Sequence, residues 1–414
     1  MNFVPMISSL PKRKGIVMVF LLAMTSINFS LLFHVIPKLR NGYQDFTIFY
    51  TGASLLRDGR ASSLYSLAAQ YQMQQTFTHV PIRQGPLPFN HPPFEAFFFI
   101  PFTLLSYWPA YLLWSGLNVI MLAATIILLR RHFQQIAAVP ILGVGLAATA
   151  FFPLMIGLIQ GQDIILLLLL FVLATISLDQ GQHILAGVFL GAGLFRPHTV
   201  VPLVIFLALR RWKVLVGFTT VALVFFGISV AFMGWRGPFD YVQFVLHVEV
   251  TKAIAFGTEA TPNLRGLIEQ LPLVKDSRTF TALLIFATSA IVFLLAIRRI
   301  INKHDSLIFR ASLAAVTTIL VSFHAFVYDL SLLFPTMLFL LARVLLVGET
   351  GYVEKVTGGA KLETLSILLF IVLSLVPLYL YLLLQIDRFS CFTLILLLLY
   401  LKLLLTPAPA LAPV

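Results

Sequence analysis

"KRKGIVMVFLLAMTSINFSLLFHV", Lys12 to Val35, decides the fold. Three basic residues precede an apolar run of roughly 20 residues, the length a helix needs to cross a hydrocarbon core. The run is long for a signal peptide and lacks a small-residue cleavage site, so it reads as a retained first helix. Similar runs recur to the end of the chain. Of 414 residues, 59% are hydrophobic and 11% charged, and 38 are phenylalanine. A soluble domain is usually about a quarter charged. Barrel alternation is absent and no soluble second domain is visible. The fold class is therefore an all-α polytopic membrane protein, one integral domain over 1–414.

The net charge of +12 does not point to nucleic acid, because the basic residues sit in short clusters between apolar runs. These are Lys12-Arg13-Lys14, Arg130-Arg131, Arg210-Arg211 with Lys213, and Arg298-Arg299 with Lys303 and Arg310. That is the pattern of cytoplasmic loops. The single cysteine, Cys391, excludes an internal disulfide and any cysteine metal cluster.

With a cytoplasmic N-terminus, the sequence predicts a first helix over 15–36 and a long outer loop over 37–92. A membrane bundle over 93–233 follows, then a second outer loop over 234–277, a bundle over 278–405 and a tail over 406–414. The aromatic run 93–106 reads as a membrane-dipping segment. The run 184–209 is broken at "FRPH", Phe195 to His198, by a proline and two polar residues. Such a break is tolerated where it lines a cavity. The count is about ten to twelve transmembrane segments. Asp45, His91, Gln160, Gln162, Asp163, Asn263, Arg265, His324, Tyr328 and Asp329 all fall at or near the outer face. Arg196 and His198 point to it from mid-membrane.

Each polar position has a plain reading beside a functional one. Asp45 heads "YQDFTIFYTGASLLRDG", Tyr43 to Gly59, in which Phe46, Phe49, Tyr50, Ala53 and Leu56 share a helical face. The pattern predicts a helix lying on the membrane surface. Asp45 is then its N-cap, or a carboxylate facing a cavity, or both. Glu95, in "FNHPPFEAFFFIPF", is either a first-turn acid favoured by the helix dipole or an ionisable group placed for function. Arg196 with His198 suits an anion, since a guanidinium is a planar, permanently charged fork of donors. The plainer alternative is an ion pair between Arg196 and Asp163. His324, Tyr328 and Asp329 close one helix and open the next. Asn263 and Arg265, in "TPNLRGL", are a loop turn or a substrate contact. No Asp-x-Asp pair, glycine-rich phosphate loop or zinc motif is present, so no metal or cofactor is expected.

The ordered set of an Asp-Phe after the first helix, "FYTGASLLRDGRASSLY", "FNHPPFEAFFFIPF", Gly161-Gln162, "FRPH", "PNLRGL" and "HAFVYDLSLLFP" resembles glycosyltransferase family 87. These are polyprenyl-phosphate-mannose-dependent mannosyltransferases of the GT-C superfamily. The resemblance covers about residues 15–340; the order of the motifs carries it more than any one of them. It implies a GT-C-type bundle with surface helices in the first outer loop. It implies a sugar donor on a polyprenyl monophosphate and an inverting, metal-independent transfer to a glycan or glycolipid acceptor at the outer face of the cell membrane. It puts the general base at Asp45 and the donor phosphate near His324. Many relatives carry Lys-Pro where this chain has Arg196-Pro197.

The expected site thus has Asp45 and Glu95 as candidate catalytic residues and Arg196, His198 and His324 around the donor phosphate. His91, Gln160, Gln162, Asp163, Asn263, Arg265, Tyr328 and Asp329 would contact substrate. The bilayer and the lipid-linked donor are the expected partners. A transporter or flippase of a lipid-linked sugar is the main competitor, since broken helices and intramembrane charge also fit one. Against it, no internal repeat is visible and the polar positions gather on one face. A non-catalytic scaffold leaves Arg196 within an apolar run unexplained.

Overall fold

The computed structural model describes residues 10–78, 86–209, 211–251, 257–274, 277–301, 306–346 and 360–406. Arg210, Lys303 and residues 407–414 of the expected tail lie outside the described residues. The described chain is helical, without a strand. In order, the helices are α1 (Leu10–Arg40), α2 (Phe46–Arg57), α3 (Leu67–Phe77), α4 (Pro93–Phe99), α5 (Tyr107–His132) and α6 (Gln134–Ala137). There follow α7 (Ile141–Ala150), α8 (Phe152–Gln160), α9 (Ile164–Asp179), α10 (His183–Ala192), α11 (Pro197–Ala208) and α12 (Lys213–Met233). Then come α13 (Gly237–Thr251), α14 (Leu264–Glu269), α15 (Arg278–Ile300), α16 (Leu307–Val321) and α17 (Phe334–Leu346). Two further apolar stretches, Thr364–Gln385 and Phe389–Leu405, close the bundle.

The chain is a helical polytopic membrane protein. Among the described residues, five helices are long and apolar enough to cross a membrane, or seven if each of two bent pairs is one span. Shorter apolar helices make up the rest, α9, α10, α11 and α16 among them. The bends have local causes. The α7–α8 pair bends by 64° at Phe151, just before Pro153, which has no amide to donate to the ladder. At the 193–196 break Pro197 starts α11, where a missing amide costs nothing. The outward faces of α12 and α15 are apolar and exposed, with Leu223, Val224, Leu283 and Phe286 pointing away from the bundle. A helix apolar on its outside is in its proper solvent against lipid. The α16 helix and the segment Val327–Leu345 are instead buried in the protein core.

Close packing is carried by small residues where α10 meets α12. A Cβ on Gly187 would fall 2.0 Å from the Val214 carbonyl oxygen, and one on Gly217 would fall 2.0 Å from that of Ile184. With Gly191 one turn further on, the backbones approach as in other small-xxx-small crossings.

The stretch between α1 and α5 carries α2, α3 and α4. The α2 helix forms over the predicted stretch and is buried by other segments of the chain on all sides from Phe46 to Leu56, where the spacing marked a single apolar face. One face, with Phe46, Phe49, Tyr50 and Ala53, packs on Phe99, Tyr107, Tyr111 and Trp114. The other, with Ile48, Leu55 and Leu56, packs on Met73, Leu87 and Phe89. The remaining residues of the helix include the small Thr47, Thr51, Gly52 and Ser54, which lets α3 and the 86–92 strap cover it. At Gly52 a Cβ would meet the Phe89 ring at 2.8 Å.

Candidate active site

Five separated stretches converge at the N-terminal end of α2. They are the α1–α2 connection, the 89–95 segment, the α8–α9 turn, the α10–α11 break and the turn over 322–329. The α8–α9 turn is the hub. Gly161 ends α8 in the left-handed conformation at φ +62°, and a Cβ there would fall 2.9 Å from Phe46 Cβ. Its carbonyl accepts from the Trp114 indole at 2.8 Å. Gln160 and Gln162 flank this glycine and both reach Asp45.

Gln160 Oε1 accepts from the Asp45 amide at 3.0 Å, and Gln162 Nε2 donates to Asp45 Oδ2 at 2.7 Å. Asp45 precedes α2, yet its carboxylate makes no capping bond to the helix. Asp45 thus holds the N-cap position without capping through its side chain, which Gln162 binds instead. It is the partly exposed carboxylate of the group, whereas Glu95, Asp163 and Asp329 are buried.

Arg196, 4% exposed, lies at the α10–α11 break and is fully engaged. Its Nε donates to Asp163 Oδ1 at 2.6 Å, its Nη1 to Asp329 Oδ1 at 2.5 Å and its Nη2 to Gln162 Oε1. Tyr328 lies under the guanidinium, ring centroid to Cζ 5.2 Å. The ion pair between Arg196 and Asp163, the plainer alternative in the sequence, is therefore formed, with Asp329 as a second partner. The reason is charge: a guanidinium among apolar helices is costly unless carboxylates surround it. Asp329 Oδ2 in turn accepts from the Phe326 amide at 2.6 Å, which fixes the turn carrying His324.

His91 is set between the Phe49 and Phe89 rings, at 4.9 and 5.7 Å between centroids, and its carbonyl accepts from the Tyr65 hydroxyl at 2.8 Å. Burial pushes its imidazole down to about 4, against the opposing pull of Asp163. Its Nδ1 is 2.7 Å from Glu95 Oε2, one helical turn on. Donor atoms of His91, Glu95 and Asp163 all lie within 4.8 Å of one another. The i, i+4 spacing of His91 and Glu95 was visible in the sequence; the arrival of Asp163 from another helix pair was not.

His198 and His324 form a second pair, with ring centroids 6.2 Å apart. His198 Nε2 is buried without a hydrogen-bond partner. Burial, and then the Arg265 and Arg196 charges, bring His324 down to about 4. Arg265 stacks on Phe323 at 4.2 Å, pairs with Glu269 at 2.9 Å and donates to the Phe323 carbonyl at 3.2 Å. Asn263 caps α14, accepting from the Gly266 amide at 2.8 Å while its Nδ2 donates to the Ser322 carbonyl at 2.8 Å. Both ends of that buried amide are used to hold the turn next to His324, so Asn263 takes the loop-turn role.

A helical membrane bundle that gathers a partly exposed carboxylate, three histidines and a fixed ion-pair network beside an aromatic seam has the parts of an enzyme acting on a polar group. The chain belongs to glycosyltransferase family 87, whose model matches residues 89–322, more than half its length. The matched region holds His91, Glu95, Gln160, Gln162, Asp163, Arg196, His198, Asn263 and Arg265. Asp45 and His324 to Asp329 flank it and are tied to it by the bonds just described. No curated protein and no solved structure matches the chain. It is thus a membrane glycosyltransferase, with a sugar donor and an acceptor.

Proposed function

We propose that the protein is an inverting GT-C-type transferase. It moves a hexose, mannose by its family resemblance, from a polyprenyl-monophosphate donor to a glycan or glycolipid hydroxyl at the outer face of the cell membrane. The observation that carries this reading is the Asp45 carboxylate. It is partly exposed, held by Gln162 and joined through that glutamine to the buried Arg196 network. An acceptor hydroxyl is a weak nucleophile; Asp45 takes its proton as the oxygen attacks the anomeric carbon. The C–O bond to the lipid phosphate breaks from the opposite face, and the phosphate leaves with the bonding pair. One base and one displacement give inversion.

The leaving phosphate needs charge stabilisation more than a proton. His198 and His324 are the groups proposed to meet it, with Arg265 beside His324. Arg196 acts as a fixed charge behind them rather than as a fork, because its donors are held by Asp163, Asp329 and Gln162. Glu95, 3% exposed, is shielded from an acceptor, which favours Asp45 as the base. The isoprenoid chain is proposed to lie along the α4–α12 seam. There Phe94 stacks on Phe225 at 4.2 Å, Phe97 meets Phe232 at 4.7 Å, and Phe98 and Phe232 remain open to lipid. Purified protein incubated with radiolabelled polyprenyl-phosphate-mannose and membrane glycolipid acceptors should yield a labelled product of inverted anomeric configuration. Donor movement across a vesicle without any product would favour a flippase instead.

A further inference from the structure

We propose that His91, Glu95 and Asp163 form a binding site for one divalent cation, Mn²⁺ or Zn²⁺. Three observations converge. The donor atoms of the three residues already lie within 4.8 Å of one another, although they come from two distant stretches of chain. Glu95 and Asp163 are 3% and 1% exposed, yet Glu95 Oε1 and Asp163 Oδ2 lack a hydrogen-bond partner, and Glu95 Oε2 meets only His91 Nδ1, at 2.7 Å. The other Asp163 oxygen is occupied by Arg196, so the orphaned one is the atom left to face Glu95. Third, Arg196 is paired with Asp163 and Asp329, and the buried Glu95 beside them is paired only with His91. Two carboxylates held face to face in a dry site repel unless a proton or a cation lies between them. A divalent ion supplies the two charges that the network lacks.

The donor set decides the class of ion. One imidazole and two carboxylates suit Zn²⁺ or Mn²⁺ better than Ca²⁺, which prefers six to eight oxygens. Ligand distances of about 2.1 Å set tetrahedral donors about 3.4 Å apart, so the 2.7 Å His91–Glu95 pair opens and the wider pairs close when the ion enters. Three protein ligands leave at least one position for water or an anionic oxygen. The site is placed by residue geometry alone and does not depend on the transfer reaction.

Full-length protein in detergent, stripped with EDTA and titrated with Mn²⁺ or Zn²⁺, tests the site without donor or acceptor. The expected result is one saturable equivalent per chain by elemental analysis, together with a cation-dependent rise in Tm. Glu95→Gln, which keeps the shape of the side chain, should weaken binding more than tenfold, and His91→Ala should do the same. Absence of a saturable equivalent in the wild type would overturn the proposal and leave a shared proton between Glu95 and Asp163. Equal binding by a folded Glu95→Gln variant would overturn it as well.

Discussion

Arg196 and Gln162 separate two kinds of contribution. Removing the guanidinium strands Asp163 and Asp329 in a dry environment, so Arg196→Met should destabilise the fold by about 3–5 kcal/mol, read as a lowered Tm in detergent. Arg196→Lys should recover only part of this, since one ammonium cannot reproduce three directed donors. Gln162→Leu is a different experiment. It leaves the Arg196–Asp163 pair in place but removes both the bond that aims Asp45 and the acceptor of Arg196 Nη2. Loss of aim of about 1 Å costs roughly 10²-fold in rate. The variant should therefore lose kcat by about that factor with KM little changed, and lose about 1–3 kcal/mol of stability from the buried donor left unpaired; a lowered Tm with kcat unchanged would show Gln162 to be structural instead.

The hub of the site is a turn, and its glycine is the sensitive point. Gly161→Ala imposes a left-handed conformation on an L-residue, costing about 1–2 kcal/mol, and pushes its Cβ into Phe46 at the start of α2. Activity should fall together with stability, because Phe46 directly follows Asp45. In the α10–α12 crossing, Gly187→Leu should separate the two helices and lower Tm more than Gly161→Ala, since the obstruction is backbone rather than a side chain. These elements show what the sequence carried and what it did not. The apolar runs, the proline break at 195–198 and the helix after Asp45 were legible because length, proline and helical spacing are local signals. The burial of α2 was not, because its apparent polar face consists of small residues that another segment covers. The Arg196–Asp163 pair was one of the two readings the sequence offered, but the second partner was not legible, since Asp329 lies 133 positions away.

Taken whole, the molecule encloses its polar cluster in a bundle whose exterior suits lipid, and the enclosure makes it sensitive to acid. His324 faces Arg265, Arg196, His91 and His198, and burial holds it at about 4 against 6.5 when exposed. Below 6.5 the unfolded chain binds a proton that the folded one does not. Stability is therefore kept above 6.5 and lost as the pH falls toward 4, by at most about 3 kcal/mol from this residue. Thermal unfolding at pH 7.5 and 5 should show the fall, and His324→Gln should reduce it; identical acid sensitivity in that variant would remove His324 from the account. The claim on which the functional reading depends concerns Asp45. Asp45→Asn keeps an oxygen for Gln162 to bond but cannot accept a proton. Side-by-side measurement of sugar transfer and donor-lipid binding in wild type and Asp45→Asn tests it most directly. The account predicts a loss of transfer of about 10³-fold or more with donor binding unchanged. Transfer at the wild-type rate by the asparagine variant would contradict it.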